Sequence, residues 1–242
     1  MNDVPVLLSK MTRRQFREGV DQGRIIGAIV PTGSTEQHNE HLEMAHDTES
    51  VVHIARLVAE KLCPRIVVTT PLAIGISEHW MDHTGTLTAR PEVFVELLHD
   101  VIHSMKRSGI RNILIVNGHA GNTRPIRERL EELRRRLGLN LDFCSYWEGY
   151  SKEDVVKYMD SGNCPGHASE FETSFALAAF PSHVHWEGVD YDRAKLTISS
   201  PEQAQQDRQF HQEAGLASAE RGRAMIDIAV NWVAERMRRM IE

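Results

Sequence analysis

The stretch Arg24-Ile-Ile-Gly-Ala-Ile-Val-Pro-Thr-Gly-Ser-Thr-Glu-Gln-His38 holds the pattern from which the fold can be read. Its first seven residues are a short apolar run of the kind that fills a strand buried on both faces. Pro31, Thr32 and Gly33 interrupt the run, so the strand is expected to stop at Val30. Chemically capable residues follow at once: Glu36 and His38, then His41, His46 and Asp47. The same order returns downstream. Ile66-Val-Val-Thr-Thr70 stops at Pro71 and leads to Glu78, His79, Asp82 and His83. Ile113-Leu-Ile-Val116 leads to Asn117-Gly-His-Ala-Gly-Asn122. A fourth strand is expected from Leu141 to Tyr146, just before Trp147.

Helical spacing fills the intervals. Thr48 to Leu62 is apolar at 51, 54, 55, 58 and 62. Thr88 can cap a helix with Pro91 in its first turn, which then runs through Phe94, Leu98, Ile102 and Met105 to Gly109. Further helices are expected over Pro125 to Leu137, over Ser169 to Phe180, and over 202–241 with breaks near Gly215 and Gly222. Apolar strands alternating with amphipathic helices specify an α/β fold with a mainly parallel sheet. Such sheets bind ligands at the carboxyl ends of their strands. Function is therefore sought after Val30, Thr70, Val116 and Tyr146.

The chain has 242 residues, with 28 Lys plus Arg, 34 Asp plus Glu, and a formal charge of −6. No linker or repeat divides it, so one domain over 1–242 is expected, large enough to bury roughly 70% of its surface. The acidity argues against a nucleic-acid surface. No apolar run reaches the length of a membrane span, and the N-terminus lacks the features of a secretory leader. Cys63, Cys144 and Cys164 form no CxxC pair and read as packing residues, which fits a reducing cytoplasm. No P-loop, GxGxxG or nucleophile elbow is present. The notable excess is histidine, 13 in all, nine of them between His38 and His119.

Carboxylates mixed with imidazoles suit a divalent ion of the zinc or manganese type, with iron also acceptable. Glu36 and His38, two apart in an extended segment, project to one side. Asp47 opens a helix, where the backbone dipole favours a negative group. Taken singly, each reads equally as a solvated loop residue, a helix cap or a turn filler. Their recurrence after separate strands of one sheet is what points to a shared site.

Three segments together resemble the creatininase (creatinine amidohydrolase) family: Pro31-Thr-Gly-Ser-Thr-Glu-Gln-His38 with His41 and Asp47; Asn117-Gly-His-Ala-Gly-Asn122; and His167 followed by Glu172-Thr-Ser. Thr84-Gly-Thr-Leu87 resembles the family's substrate-side loop. The resemblance covers roughly residues 24–180. It implies a three-layer α/β/α domain, usually assembled into hexamers, with a two-metal centre. It further implies that Glu36, Asp47 and His119 hold one ion, that His38, Asp47 and Glu172 hold the other, and that His167 matches a catalytic histidine. Glu170 is the alternative to Glu172. The sequence departs from creatininase itself at Gly121, where that enzyme is acidic, and at Asn39, where the family commonly has glycine.

The expected activity is hydrolysis of a small cyclic amide or related carbonyl compound. Two ions activate a water, and His167 protonates the leaving group from a pKa near neutrality. Glu78, His79, Asp82, His83 and Trp147 are expected to read the substrate. Ring-opening carbon–carbon hydrolysis of a keto-inositol uses the same polarised carbonyl and is the alternative; a catalytically silent small-molecule binding protein is a third reading.

Overall fold

The computed structural model describes residues 5–187, 189 and 200–242. Among them four strands, β1 (Gly27–Thr32), β2 (Ile66–Val68), β3 (Asn112–Asn117) and β4 (Asn140–Ser145), pair in the order β2-β1-β3-β4. All three pairings are parallel. The helices are α1 (Arg13–Asp21), α2 (His46–Lys61), α3 (Pro91–Arg107), α4 (Ala120–Leu137), α5 (Lys152–Tyr158), α6 (Glu170–Ala179), α7 (Pro201–Ala214) and α8 (Ala219–Ile241).

Alternate side chains of the sheet feed two apolar layers, as the period of a strand requires. Ile29, Leu114, Val116 and Cys144 pack with α2, α6 and α8 on one face. Ala28, Val30, Ile113 and Ile115 pack with α3 and α4 on the other. The result is a three-layer α/β/α arrangement. The chain leaves β1 toward β2 and then returns past β1 to β3. Strand order therefore reverses between β1 and β3, the place where open sheets of this kind bind ligands.

Several boundaries differ from expectation, each for a physical reason. β1 continues through Pro31 to Thr32. The Ile29 and Pro31 carbonyls accept from Thr69 and Leu72, so the Pro31 nitrogen faces the side where β2 has already ended. No ladder bond is lost there. α4 starts at Ala120 rather than Pro125, with His119 as its N-cap, and holds Pro125 inside at the cost of the Gly121 carbonyl's helical partner. Thr88 does not cap α3: Arg90 stands at the cap, and the Thr88 hydroxyl instead accepts from the Ser77 N–H. The tail breaks after Ala214 but not at Gly222, which lies inside α8. A Cβ at Gly222 would come within 1.9 Å of the Ser174 carbonyl, so this glycine serves the close approach of α8 to α6. α1 and α5 were not expected; each begins with a capping box, at Thr12 with Gln15 and at Ser151 with Asp154. Cys63 is exposed rather than packed.

Candidate metal centre

The loop that leaves β1 turns back at Asn39, where φ is +56°. A left-handed residue there fits the family's usual glycine, and asparagine tolerates that conformation better than most side chains. The turn buries both Glu36 and His38. α2 then starts at His46, which puts Asp47 in its first turn, buried and pointing back toward the loop. β3 ends at Asn117, and the next turn delivers His119 to the same place.

The hydrogen bonds of the two imidazoles decide what they can do. His38 Nδ1 lies 3.1 Å from the Glu36 carbonyl. His119 Nε2 lies 3.0 Å from the Ile76 carbonyl. A carbonyl only accepts, so those two nitrogens carry the hydrogens. In the neutral rings that a metal requires, the lone pairs are then on His38 Nε2 and His119 Nδ1, and both nitrogens face carboxylates. His38 Nε2 is 3.3 Å from Asp47 Oδ1 and 3.6 Å from Glu172 Oε2. His119 Nδ1 is 2.8 Å from Asp47 Oδ2 and 3.5 Å from Glu36 Oε1. Asp47 thus presents one oxygen to each imidazole. At 2.8 Å its Oδ2 still lacks a hydrogen bond of acceptable direction, and Glu36 Oε2 is a second buried oxygen without a partner.

Glu172, in the first turn of α6, accepts from the Ala168 N–H at 2.6 Å and faces His38. Glu170 turns elsewhere. Its oxygens accept from the Asp160 and Ser161 backbone N–H groups and from Arg221. Of the two glutamates, the structure brings Glu172 to the cluster.

Three buried carboxylates beside two histidines distort one another's protonation. Burial, with the charge of Asp47 alongside, pushes the Glu36 carboxyl up to about 7. Burial pushes Glu172 up to about 8. Burial opposes ionisation of Asp47 as well, but His38 and His119 overcome it and hold that carboxyl well below the usual range. Burial disfavours charge on the imidazoles, and the neighbouring carboxylates reverse this, taking His38 to about 10 and His119 to about 9. Without an ion, protons on the imidazoles offset the buried carboxylates, the role a divalent cation would take over. Orphaned oxygens, inward lone pairs and imidazoles anchored on backbone carbonyls are the donor set that divalent ions fit. Ligand atoms of His38, Asp47 and Glu172 all lie within 4.8 Å of one another, as do those of Glu36, His79 and His119 and those of Glu36, His38 and His167.

A cavity of about 100 Å³ opens over this cluster, lined by Glu36, Asp47, His119 and Glu172 together with His79, Trp80, Trp147 and His167. Of the residues expected to read the substrate, His79 and Trp147 line this cavity. His79 is exposed and stacks on His119, ring centroids 5.9 Å apart. The structure does not bring Glu78, Asp82 or His83 to the cavity. Glu78 and Asp82 are exposed, and within the 3-10 turn over Glu78–Trp80 it is His79 and Trp80 that line the cavity. His83 is buried but pairs with Asp207 of α7 at 3.1 Å.

His167 lies against Trp80, rings stacked with centroids 4.4 Å apart, and 3.7 Å from Glu36 Oε1. Its pKa departs from the expected neutrality: burial, and then the charge on His38, push it well below the ordinary histidine value.

Several supporting groups were not singled out from the sequence. Asn122 accepts from the Ile76 N–H and donates to the Gly33 carbonyl, tying three strand-end loops together. Its signal was present, as the last residue of Asn117-Gly-His-Ala-Gly-Asn122. The Ile76 carbonyl and the Ala168 N–H carry no side-chain signal at all. At Gly121 an added Cβ would lie 2.1 Å from the Ile76 carbonyl and 2.5 Å from His119 Nε2. The bond that orients His119 occupies the space a side chain would need.

Comparison with known proteins places this arrangement. The chain matches the creatininase family profile, described as creatinine amidohydrolase, over residues 9–237. It is 30% identical over 187 residues to the 3-dehydro-scyllo-inosose hydrolase of Thermotoga maritima, covering 75% of this chain and 58% of that protein. To the creatinine amidohydrolase of Pseudomonas putida it is 24% identical over 255 residues, 96% of each chain. A mycofactocin precursor peptide peptidase of Mycobacterium ulcerans is 31% identical over 180 residues, covering 72% of this chain and 64% of the peptidase. The chain thus spans less than two thirds of the Thermotoga and Mycobacterium relatives. In fold it superposes on a crystal structure of creatinine amidohydrolase with a TM-score of 0.80 at 22% identity, over 98% of both chains. A manganese form of creatininase gives 0.79 at 23% identity, over 98% of both chains.

Proposed function

The chain belongs to the creatininase family of hydrolases, and from that membership we propose that it hydrolyses a small cyclic amide or related carbonyl compound with two divalent ions, zinc or manganese. Glu36, Asp47 and His119 would hold one ion, and His38, Asp47 and Glu172 the other. The observation that carries this reading is Asp47, whose two oxygens address two different imidazoles, each fixed through its far nitrogen by a backbone carbonyl. Divalent ions so held supply Lewis acidity, lowering the pKa of a water and polarising a carbonyl.

The chain's own residues set the rest. Trp80 and Trp147 wall the cavity and limit water. His167 offers an N–H to the reacting region from a neutral ring, so it acts by donating a hydrogen bond where charge develops. His79, on the open side, meets the substrate. The cavity of about 100 Å³ is smaller than the usual ligand pocket, which favours one compact ring over an extended peptide. The 30% identity to an inosose hydrolase supports a second reading, ring opening of a keto-inositol at a carbon–carbon bond.

A panel of creatinine, other lactams, formamides and keto-inositols, assayed with and without a chelator, tests both. Expected is turnover of a lactam-type compound, lost on chelation and restored by zinc or manganese. Turnover of keto-inositols alone selects the second reading, and turnover that ignores the chelator overturns the metal assignment. The family also supports a homohexamer. Val93 and Leu97 leave apolar surface exposed on α3, and light scattering that gives a monomer would count against assembly. Among the described residues no helix is long and apolar enough to cross a membrane. The free cysteines suit a reducing cytoplasm.

A further inference from the structure

Backbone carbonyls settle where the hydrogens sit on His38 and His119. Among the described residues no carbonyl does this for His167. Its Nε2 lies 2.8 Å from the side-chain nitrogen of Gln37, a residue only 6% exposed. An imidazole nitrogen can donate or accept, whereas an amide nitrogen only donates. The amide is not free to turn over. Gln37 Oε1 lies 2.9 Å from the backbone nitrogen of Asn39, and that N–H has no other role than donor. Reversing the amide would set its NH2 against that N–H and leave the Asn39 donor without an acceptor. The chain of constraint then runs in one direction. Asn39 N–H orients the amide, the amide donates to His167 Nε2, and a ring that accepts there carries its hydrogen on Nδ1. That nitrogen is the one 3.7 Å from Glu36 Oε1. Trp80 on one side, His38 at 4.7 Å and the edge of Phe210 at 5.8 Å keep the ring from flipping.

We propose that Gln37 is a positioning residue that holds His167 with its hydrogen on Nδ1, so that His167 meets the site as an N–H donor while Nε2 is closed to the substrate. This deepens, and rests on, the reading of the cavity as a hydrolytic centre. No proton leaves the ring in this role.

The test is nitrogen NMR of the zinc-loaded protein carrying 15N-histidine, with His167→Asn used to assign the signals. His167 is expected to show a protonated Nδ1 and an unprotonated Nε2. Gln37→Glu keeps the size of the side chain but replaces the donor with a carboxylate, which accepts. It should therefore reverse the tautomer to Nε2–H while zinc content stays unchanged. For whichever panel compound is turned over, kcat should then fall about as far as in His167→Asn, with KM little altered. Gln37→Met, able neither to donate nor to accept strongly, should give a mixture of tautomers. This variant keeps the test open if the glutamate protein does not fold. A wild-type ring with its hydrogen on Nε2 overturns the proposal, as does an unchanged Nδ1–H in Gln37→Glu or Gln37→Met. The functional reading fails separately, if His167→Asn retains the wild-type rate.

Discussion

The loop after β1 and the loop after β2 look alike as sequence. One carries Glu36, His38 and Asp47; the other carries Glu78, His79, Asp82 and His83. In the folded chain they diverge. In the first, all three candidate residues are buried and converge. In the second, Glu78 and Asp82 face outward, His83 is spent on Asp207, and only His79 reaches the cavity. The inward loop is anchored by its own backbone and by α4, through the Glu36 carbonyl on His38 and Asn122 on Gly33. The outward loop contributes mainly backbone, in the Ile76 carbonyl that orients His119. Residue type marks a loop as chemically capable. Burial and anchored hydrogen bonds decide whether the capability is aimed.

The sharpest way to break this contrast is Asp47→Ala. Loss of the residue shared by both ligand sets should abolish activity and lower bound metal from about two ions per chain toward one or none. A mutant with two ions and a normal rate would erase the distinction between the loops. His167→Asn should keep both ions and lose roughly 10²–10³ in rate, the worth of one preorganised donor. If excess zinc or manganese restores its rate, the residue instead supports a ligand from behind. Glu172→Gln should lose one ion selectively while Glu36 and His119 keep theirs. Two retained ions with residue 172 uncoordinated would overturn its assignment.

The second loop sharpens the contrast from its other side. His83→Ala removes a buried hydrogen bond to Asp207 and should cost about 1–3 kcal/mol of stability, read from denaturant unfolding. Metal content should not change. Glu78→Ala, smallest of all, should leave stability within about 0.5 kcal/mol and activity close to wild type. A large loss of turnover in Glu78→Ala would show that the outer surface reads substrate after all.

Much of this protein was legible before folding was considered. The strands, the helices between them and the gathering of Glu and His at strand ends follow from apolar periodicity, a property of neighbouring residues. The capping boxes that open α1 and α5 are equally local and were readable. What only the tertiary structure decided is direction. Glu170 and Glu172 lie one helical turn apart at most, and Arg221, far along the chain on α8, claims the first and leaves the second to His38. His119 takes its orientation from Ile76, and Gly121 can only be glycine because that carbonyl is already there. His167 takes its hydrogen position from Gln37, 130 residues away. Orientation and protonation of a buried polar group are set by whichever partner completes its hydrogen bonds. In a sheet of parallel strands several of those partners, here Ile76, Arg221 and Gln37, come from other crossovers, so the local sequence does not contain them.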